Sequence, residues 1–299
     1  MKYSIVIPVY NDAVLPACLA SIQQLTGQID YEVIVVENSQ TDWIKPLVER
    51  FGFKHLFEPV TGSYIARNTG LVASSGDVIV FTDSDCEVSP NWLEQIDQTL
   101  QNGQIDGVMG FSAGAPTTRV AALEQLMYEA NIGAFTQQDR LERVDTRNLA
   151  VRRTVFNKVG HFQADLKYGG DMEFGARAHQ AGFQLIYNAN MLVVHHNIKV
   201  FRGLLLKRVR QNYGNMLITQ LHNRAFIERY FPFLLRYQSS VQSTMQYYVY
   251  ACLLKPQQWF GELLLRVLPI RQGYWYFKAV NVLAMRLGQL MFVLRKPVW

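Results

Sequence analysis

Three apolar runs dense in Val and Ile, at Ser4–Val9, Glu32–Val36 and Val78–Thr82, are separated by stretches with helical spacing near Leu15–Leu25, Trp43–Phe51 and Tyr64–Ser74. Runs rich in β-branched residues and apolar on both faces belong in strands covered on both sides. Strands that alternate with helices form crossover units, so this order predicts an α/β fold around a mostly parallel sheet flanked by helices. Gly107–Phe111 is expected to add a strand, and Gln184–Ile186 and Leu192–Val194 are expected to be extended. Between them a helix should begin near Asp171 and end at a cap on Gly182. From Ile198 onward strand signals fade and helical periodicity dominates, punctuated by Pro232, Pro256, Pro269 and Pro297. The reading is therefore an α/β domain over 1–198 and a helical region over 199–299.

Charge divides at the same place. Residues 1–198 carry 14 Lys and Arg against 22 Asp and Glu, a net of −8, whereas residues 199–299 carry 15 against 2, a net of +13. A basic tail on an acidic domain points to an anionic partner, nucleic acid or an anionic membrane surface. The basic residues are interleaved with Leu, Phe, Tyr and Trp, as in Phe201–Arg208 and Trp259–Arg266, which favours a basic amphipathic region lying on a membrane over nucleic-acid binding. The alternative is a helical subdomain whose apolar side is ordinary core. No run approaches the ~18 uncharged apolar residues that a membrane-spanning helix needs. Met1-Lys2 leads directly into the first strand with no signal-peptide pattern. Cys18, Cys86 and Cys252 are far apart and form no Cys-x-x-Cys pair, which argues against a disulfide framework or zinc site and for the cytoplasm, including a peripheral place on the inner face of the cell membrane.

Side chains with chemistry collect where strands end. Asp83-Ser84-Asp85 closes the Val78–Thr82 run, at the carboxyl edge where open α/β sheets bind ligands. Paired carboxylates there suit Mg²⁺ or Mn²⁺ together with substrate phosphates, although a turn and helix cap before Asn91 would use the same residues. The second strand ends at Glu37, which could take the N–H of a pyrimidine base or a ribose hydroxyl, with a solvated loop acid as the equal alternative. The first turn, Pro8-Val9-Tyr10-Asn11-Asp12, lacks the Gly-x-Gly-x-x-Gly of a dinucleotide fold, so phosphates must be met by a cation and side chains. Arg67 and Asn68, in Gly62–Gly70, could face the nucleotide, with ordinary helix-surface duty as the alternative. Asp171 and Glu173 follow the pair Gly169-Gly170 at a helix start. Two residues apart they diverge by roughly 200°, so one reaches a reacting centre; the glycine pair favours Asp171 as general base, with Glu173 as the fallback. His195 or His196, after an extended run, could complete a cation site with the Asp pair, or be structural.

In this order the segments resemble the family 2 glycosyltransferases, inverting enzymes of GT-A fold that use nucleotide sugars. The resemblance covers roughly the first two thirds of the chain. It rests on Ser4–Asn11, Ala66-Arg67-Asn68-Thr69-Gly70, Phe81–Asp85, Asn148–Gly160 with Arg152-Arg153, Gly169–Glu173 and His195. It implies that residues 1–198 are the catalytic domain and that Asp83 and Asp85 hold the divalent cation and the sugar nucleotide. Asp171 would deprotonate the acceptor hydroxyl, and His195 or His196 would ligate the metal. Pro8, Tyr10, Asn11, Glu37, Arg67, Asn68 and Ser84 are then expected around the donor, with a UDP-sugar favoured, and a saccharide or lipid-linked acceptor of the cell envelope. Two positions differ from the usual pattern: Glu37-Asn38-Ser39-Gln40 stands where Asp-Asp-Gly-Ser is common, and Gly170 stands where Glu commonly precedes the base. Nucleotidyl transfer on the same fold is disfavoured because no glycine-rich, lysine-bearing phosphate loop follows the first strand. A non-catalytic sugar-binding module is disfavoured by the presence of Asp83, Asp85 and Asp171 together.

Overall fold

The structure is a computed structural model that describes residues 1–115, 117–133, 136–238, 253, 256–257, 261, 263–265 and 267–293. Its elements run β1 (Tyr3–Val9), α1 (Leu15–Gln23), β2 (Tyr31–Glu37), α2 (Ile44–Arg50), β3 (Lys54–Phe57), α3 (Ser63–Ala73), β4 (Val78–Thr82) and β5 (Cys86–Val88). Then come α4 (Trp92–Leu100), β6 (Gly107–Gly114), α5 (Arg119–Ile132), β7 (Asn148–Arg152), α6 (Arg153–Val159), α7 (Gly170–Gln180) and β8 (Leu185–His195). The remainder is helical: α8 (Phe201–Leu221), α9 (Arg224–Tyr230), α10 (Pro232–Gln238) and α11 (Ile270–Val293). Two compact units result, Met1–Ala113 with Ile132–His196, and Gly114–Asn131 with Asn197–Trp299.

The first unit is built on one sheet of order β3-β2-β1-β4-β7-β6-β8-β5. The β3-β2-β1-β4 half is parallel, as the Val- and Ile-rich runs required, and β4–β7, β7–β6 and β8–β5 are antiparallel. Every residue of β1 and β4 is buried. On one face Ile5, Ile7, Val33 and Val35 pack with Leu15, Leu19 and Ile22 of α1, and on the other Ile34 and Val36 pack with Ala66 of α3. Helix α3 approaches so closely at Gly70 that a Cβ there would lie 2.4 Å from Cγ1 of Val6 and 3.2 Å from Cγ2 of Val36. Glycine at this one position therefore sets how near the sheet the rest of α3 lies. The strand order reverses direction between β1 and β4, and a crevice opens there at the carboxyl ends.

Strands β3, β5 and β7 were not apparent from periodicity. Lys54-His55-Leu56-Phe57 is a partly exposed edge strand with two apolar residues, and Cys86–Val88 has only three residues inside a stretch rich in turn formers. Asn148–Arg152 is short and polar at both ends, and it is held between β4 and β6 by antiparallel pairing. The two extended segments around residue 190 are one continuous strand, β8, whose middle is exposed at Ala189 and Asn190. Gly182 follows α7 with φ +92°, as the cap required.

In the second unit Val120 and Leu123 of α5 pack with Phe201, Leu204, Leu205 and Val209 of α8 and with Phe277, Val280 and Ala284 of α11. Phe201, Leu204 and Leu205 of the Phe201–Arg208 stretch are thus core, Leu206 is half-buried, and Lys207 is paired with the buried carboxylate of Glu124 at 2.6 Å. Cys252, Trp259, Phe260, Arg266 and Pro297 lie outside the described residues. Among the described residues no helix is long and apolar enough to cross a membrane.

Candidate active site

The crevice between β1 and β4 is a cleft of about 480 Å³. Its walls come from the first turn (Pro8 to Ala13), the entry to α3 (Thr61, Gly62, Ser63 and Arg67), Asn38, and Asp83-Ser84-Asp85. Pro8, Tyr10, Asn11, Arg67, Asp83, Ser84 and Asp85 therefore line one cleft. Asn11 takes a left-handed backbone conformation, φ +46°, which Asn tolerates better than most residues. The turn is pinned by Ser39, whose Oγ accepts the Asn11 N–H at 3.1 Å, and by Trp43, whose Nε1–H donates to Asn11 Oδ1 at 3.1 Å. Asp12, not singled out from sequence, accepts the Ser84 hydroxyl at 2.9 Å and the Val14 N–H at 2.9 Å, joining the β1 turn to the β4 turn.

Three expected residues spend their polar groups on the protein itself. Glu37 is 3% exposed and accepts from the Thr41 N–H and hydroxyl at 3.0 and 2.9 Å, with His55 Nε2 at 2.9 Å. Asn68 exchanges both its amide groups with the backbone of Phe162, at 2.8 and 3.1 Å. Glu173 is fully buried and receives two hydrogen bonds from Arg177, at 2.6 and 3.0 Å, while Arg177 also binds the carbonyls of Val159 and His161. These contacts tie helices and loops together; none of the three residues lines the cleft.

The two aspartates after β4 differ in their partners. Asp83 is ion-paired with Nη2 of Arg67, whose Nε is buried with no hydrogen-bond partner among the described residues. Burial pushes the Asp83 carboxyl up against the opposing pull of Arg67, with Asp85 and Asp145 adding to the rise. Asp85 lies 3.3 Å from Nε2 of His195. Strand β5 makes this contact, because its register with β8 sets Cys86 opposite His195. His196 instead meets Glu87, at 2.6 Å. Of the two histidines, His195 is the one beside the Asp pair. A carboxylate oxygen and an imidazole nitrogen this close suit Mn²⁺ or Mg²⁺, with Asp85 lining the cleft and His195, like Asp171, outside its lining. Among the described residues no group of three or more His, Cys, Asp or Glu side chains is placed to hold a metal ion.

Asp171 stands in the first turn of α7, and its Oδ1 accepts from the Tyr64 hydroxyl and the Met172 N–H, both at 2.9 Å. Burial raises its carboxyl to about 6, and the nearby charge of Asp145 adds to this, against the hydrogen bonds and Arg67. Asp145 is itself pushed up by burial but held down at about 2 by Arg147, which binds it through Nε, Nη2 and the backbone N–H. Tyr64 and Asp145 complete the electrostatics of this corner. Tyr64 belongs to the Gly62–Gly70 segment, but nothing in its spacing pointed to Asp171; Asp145 sits in a charged loop without a pattern. Cys18 and Cys86, beside the Asp pair, have thiols driven up by burial and by the adjacent carboxylates, so neither is a thiolate nucleophile.

Residues 4–160 match the model of the family described as Glycosyl transferase family 2. The chain is 32% identical over 246 residues to glycosyltransferase AglE of Haloferax volcanii, with 78% of each chain covered. It is 24% identical to the O-antigen biosynthesis protein RfbC of Myxococcus xanthus over 65% of this chain, which spans only 17% of that protein. Among solved structures, a mannosyltransferase from Pyrobaculum calidifontis in complex with GDP-Man and Mn²⁺ superposes with TM-score 0.64 at 17% identity, covering 99% of this chain and 88% of the other. Residues 1–349 of Staphylococcus aureus TarS give TM-score 0.56 at 15% identity, covering 99% and 92%. At such identities these likenesses show the fold alone, GT-A.

Proposed function

The chain belongs to glycosyl transferase family 2, and on that premise we propose that this glycosyltransferase inverts the anomeric centre, with Asp171 as base and a divalent cation at Asp85 and His195. The observation that carries the reading is the state of Asp171. One carboxylate oxygen is fixed by two donors, and the group is raised to about 6, where it is largely ionised at neutral pH yet far more basic than an exposed aspartate. The acceptor hydroxyl attacks the anomeric carbon from the face opposite the leaving nucleoside diphosphate, and Oδ2 of Asp171 takes its proton. The carbon–oxygen bond to the acceptor forms as the bond to the diphosphate breaks, so no covalent enzyme intermediate is needed. The guanidinium of Arg67 keeps positive charge at the cleft and has an unspent N–H on Nε. When bound, the cation supplies Lewis-acid neutralisation of charge on the leaving diphosphate.

The donor is a nucleoside-diphosphate sugar, with UDP-sugars the first class to test and GDP-mannose the second, given the ligand of the Pyrobaculum enzyme. The acceptor is a saccharide or a lipid-linked saccharide of the cell envelope. Association with an anionic membrane surface is supported by α11, where Arg271, Trp275, Lys278 and Val282 recur on one side, with Trp275 64% and Val282 54% exposed. Lys278 Nζ lies 4.9 Å from the Trp275 ring centroid, a basic and aromatic pairing suited to headgroups.

The test is nucleoside diphosphate release from a panel of nucleotide sugars with Mn²⁺, Mg²⁺ or chelator, followed by proton NMR of the product anomer. Transfer with inversion and loss on chelation is expected. Retention of configuration, or full turnover by Asp171→Asn, refutes the assignment. Flotation with anionic but not neutral liposomes is expected, and no flotation with either refutes the membrane reading.

A further inference from the structure

The base is held by a side chain from another helix, and the sequence makes room for it. Tyr64 is 5% exposed, in the first turn of α3, and its hydroxyl donates to Oδ1 of Asp171 at 2.9 Å. Among the described residues Oδ2 of Asp171 accepts no hydrogen bond. The Tyr64 ring is itself fixed: Phe162 packs on it at 5.6 Å between centroids, and the Arg67 guanidinium sits 5.4 Å from its centroid, one turn along α3. Gly170 completes the arrangement. A Cβ there would come within 2.8 Å of Cδ2 and Cε2 of the Tyr64 ring, closer than any real contact. Gly170 is the position where the family resemblance led one to expect an acid before the base. Any side chain at 170 would take the space in which the Tyr64 ring lies.

We propose that Tyr64 is the positioning residue of Asp171, fixing Oδ1 so that Oδ2 meets the acceptor hydroxyl, and that Gly170 is present because the ring needs its space. The inference rests on the reading of Asp171 as the base and adds how this chain orients it without an acid at 170. A hydroxyl hydrogen bond to Oδ1 removes one of the two rotations by which a lone aspartate could swing its oxygens away, which is the kind of misplacement that costs about 10²-fold in rate. The charged and titratable groups facing Asp171 are Tyr64 and Arg67 from α3 and Asp145 from the loop before β7, with the Met172 N–H on its own helix. Of these, Tyr64 and Met172 donate directly to the carboxylate.

Tyr64→Phe tests this, since the ring and its contacts with Phe162 and Arg67 survive and only the hydroxyl goes. The expected result is a kcat about 10–100-fold lower with the donor KM within about twofold, on whichever nucleotide sugar the panel identifies. The acidic limb of the kcat/KM profile should move up by about one pH unit, because the lost donor had favoured the ionised carboxylate. A substrate-free readout gives the same answer: a carbon-13 carboxyl titration, with the Asp171 signal assigned by its absence in Asp171→Asn, should shift upward in Tyr64→Phe. Gly170→Ala should lower kcat similarly, and the double variant with Tyr64→Phe should fall little further, since both act through the one hydroxyl. Wild-type kcat and an unmoved titration in Tyr64→Phe overturn the proposal while leaving the base intact if Asp171→Asn is inactive. Full activity in Asp171→Asn removes the base, and the proposal with it.

Discussion

Asp171 and Glu173 lie two residues apart on one helix, and exchanging each carboxylate for its amide should separate catalysis from stability in opposite directions. Glu173 is fully buried and accepts two hydrogen bonds from Arg177, which in turn fastens α7 to the carbonyls of Val159 and His161. Glu173→Gln keeps one acceptor oxygen and loses the charge. Charge-assisted hydrogen bonds contribute roughly 1.5–3 kcal/mol net, and breaking a buried pair from one side costs about 3–5, so a loss of about 2–4 kcal/mol is expected. Asp171 behaves the other way. Its carboxyl is raised to about 6 from an ordinary 3.8, so between those values the folded chain binds a proton that the unfolded chain releases. Stability from this group therefore falls as pH rises through that window, and above it the ionised carboxylate is held at a cost. Asp171→Asn removes that cost, so unfolding at pH 8 should need at least as much urea as wild type. Its kcat should drop 10²–10⁴-fold, the usual contribution of a general base. Urea unfolding followed by tryptophan fluorescence, and initial rates at 15 °C where both variants are folded, give the four numbers. The reasoning fails if folded Glu173→Gln loses more than about 100-fold in kcat, or if Asp171→Asn is the less stable of the pair.

The histidines should separate cleanly. Asp85→Ala and His195→Ala are expected to raise the Mn²⁺ concentration for half-maximal activity at least about tenfold, whereas His196→Ala, whose partner is Glu87, should leave it within about twofold; equal effects at both histidines would contradict the β5–β8 register. Gly70→Ala should destabilise the first unit by about 1–3 kcal/mol despite the better helix propensity of alanine, because its Cβ meets Val6 at 2.4 Å, and unchanged urea unfolding would show that α3 can retreat freely. The kcat/KM profile of the wild-type enzyme should lose activity as pH falls through about 6, with Asp171 gaining its proton, and a flat profile down to pH 5 would argue for a different base.

The parallel half of the sheet was legible because burial on both faces leaves an unbroken apolar signature, and Ser4–Val9 and Val78–Thr82 carry it. The antiparallel half was less so. β5 and β7 are short, and they are strands because of neighbours far away in sequence, which no local pattern records. The same division runs through the site. Asp83 and Asp85 announce themselves by ending a buried strand, and the Asp85 with His195 contact follows once β5 is seen. Tyr64 and Asp145 could not be found this way, because a single tyrosine on a helix and an aspartate in a charged loop acquire meaning only from distance. Glu37 and Asn68 show the converse: local sequence leaves a ligand contact and a structural role equally open for each, and only the fold reveals that they bond His55, Thr41 and the Phe162 backbone.

The three-residue strand β5 also bears on the order in which the molecule is made. It joins Asp85 to a histidine that follows it by 110 positions, so closing that contact means ordering the whole intervening chain. Pairings of long sequence separation are entropically the most demanding to close. The β1–β4 edge, complete once the first 85 residues have emerged, can assemble on local crossover units, whereas the contact of Asp85 with His195 must wait for β8. During synthesis a nascent chain should thus possess a nucleotide-sized crevice well before it possesses the pair suited to a cation.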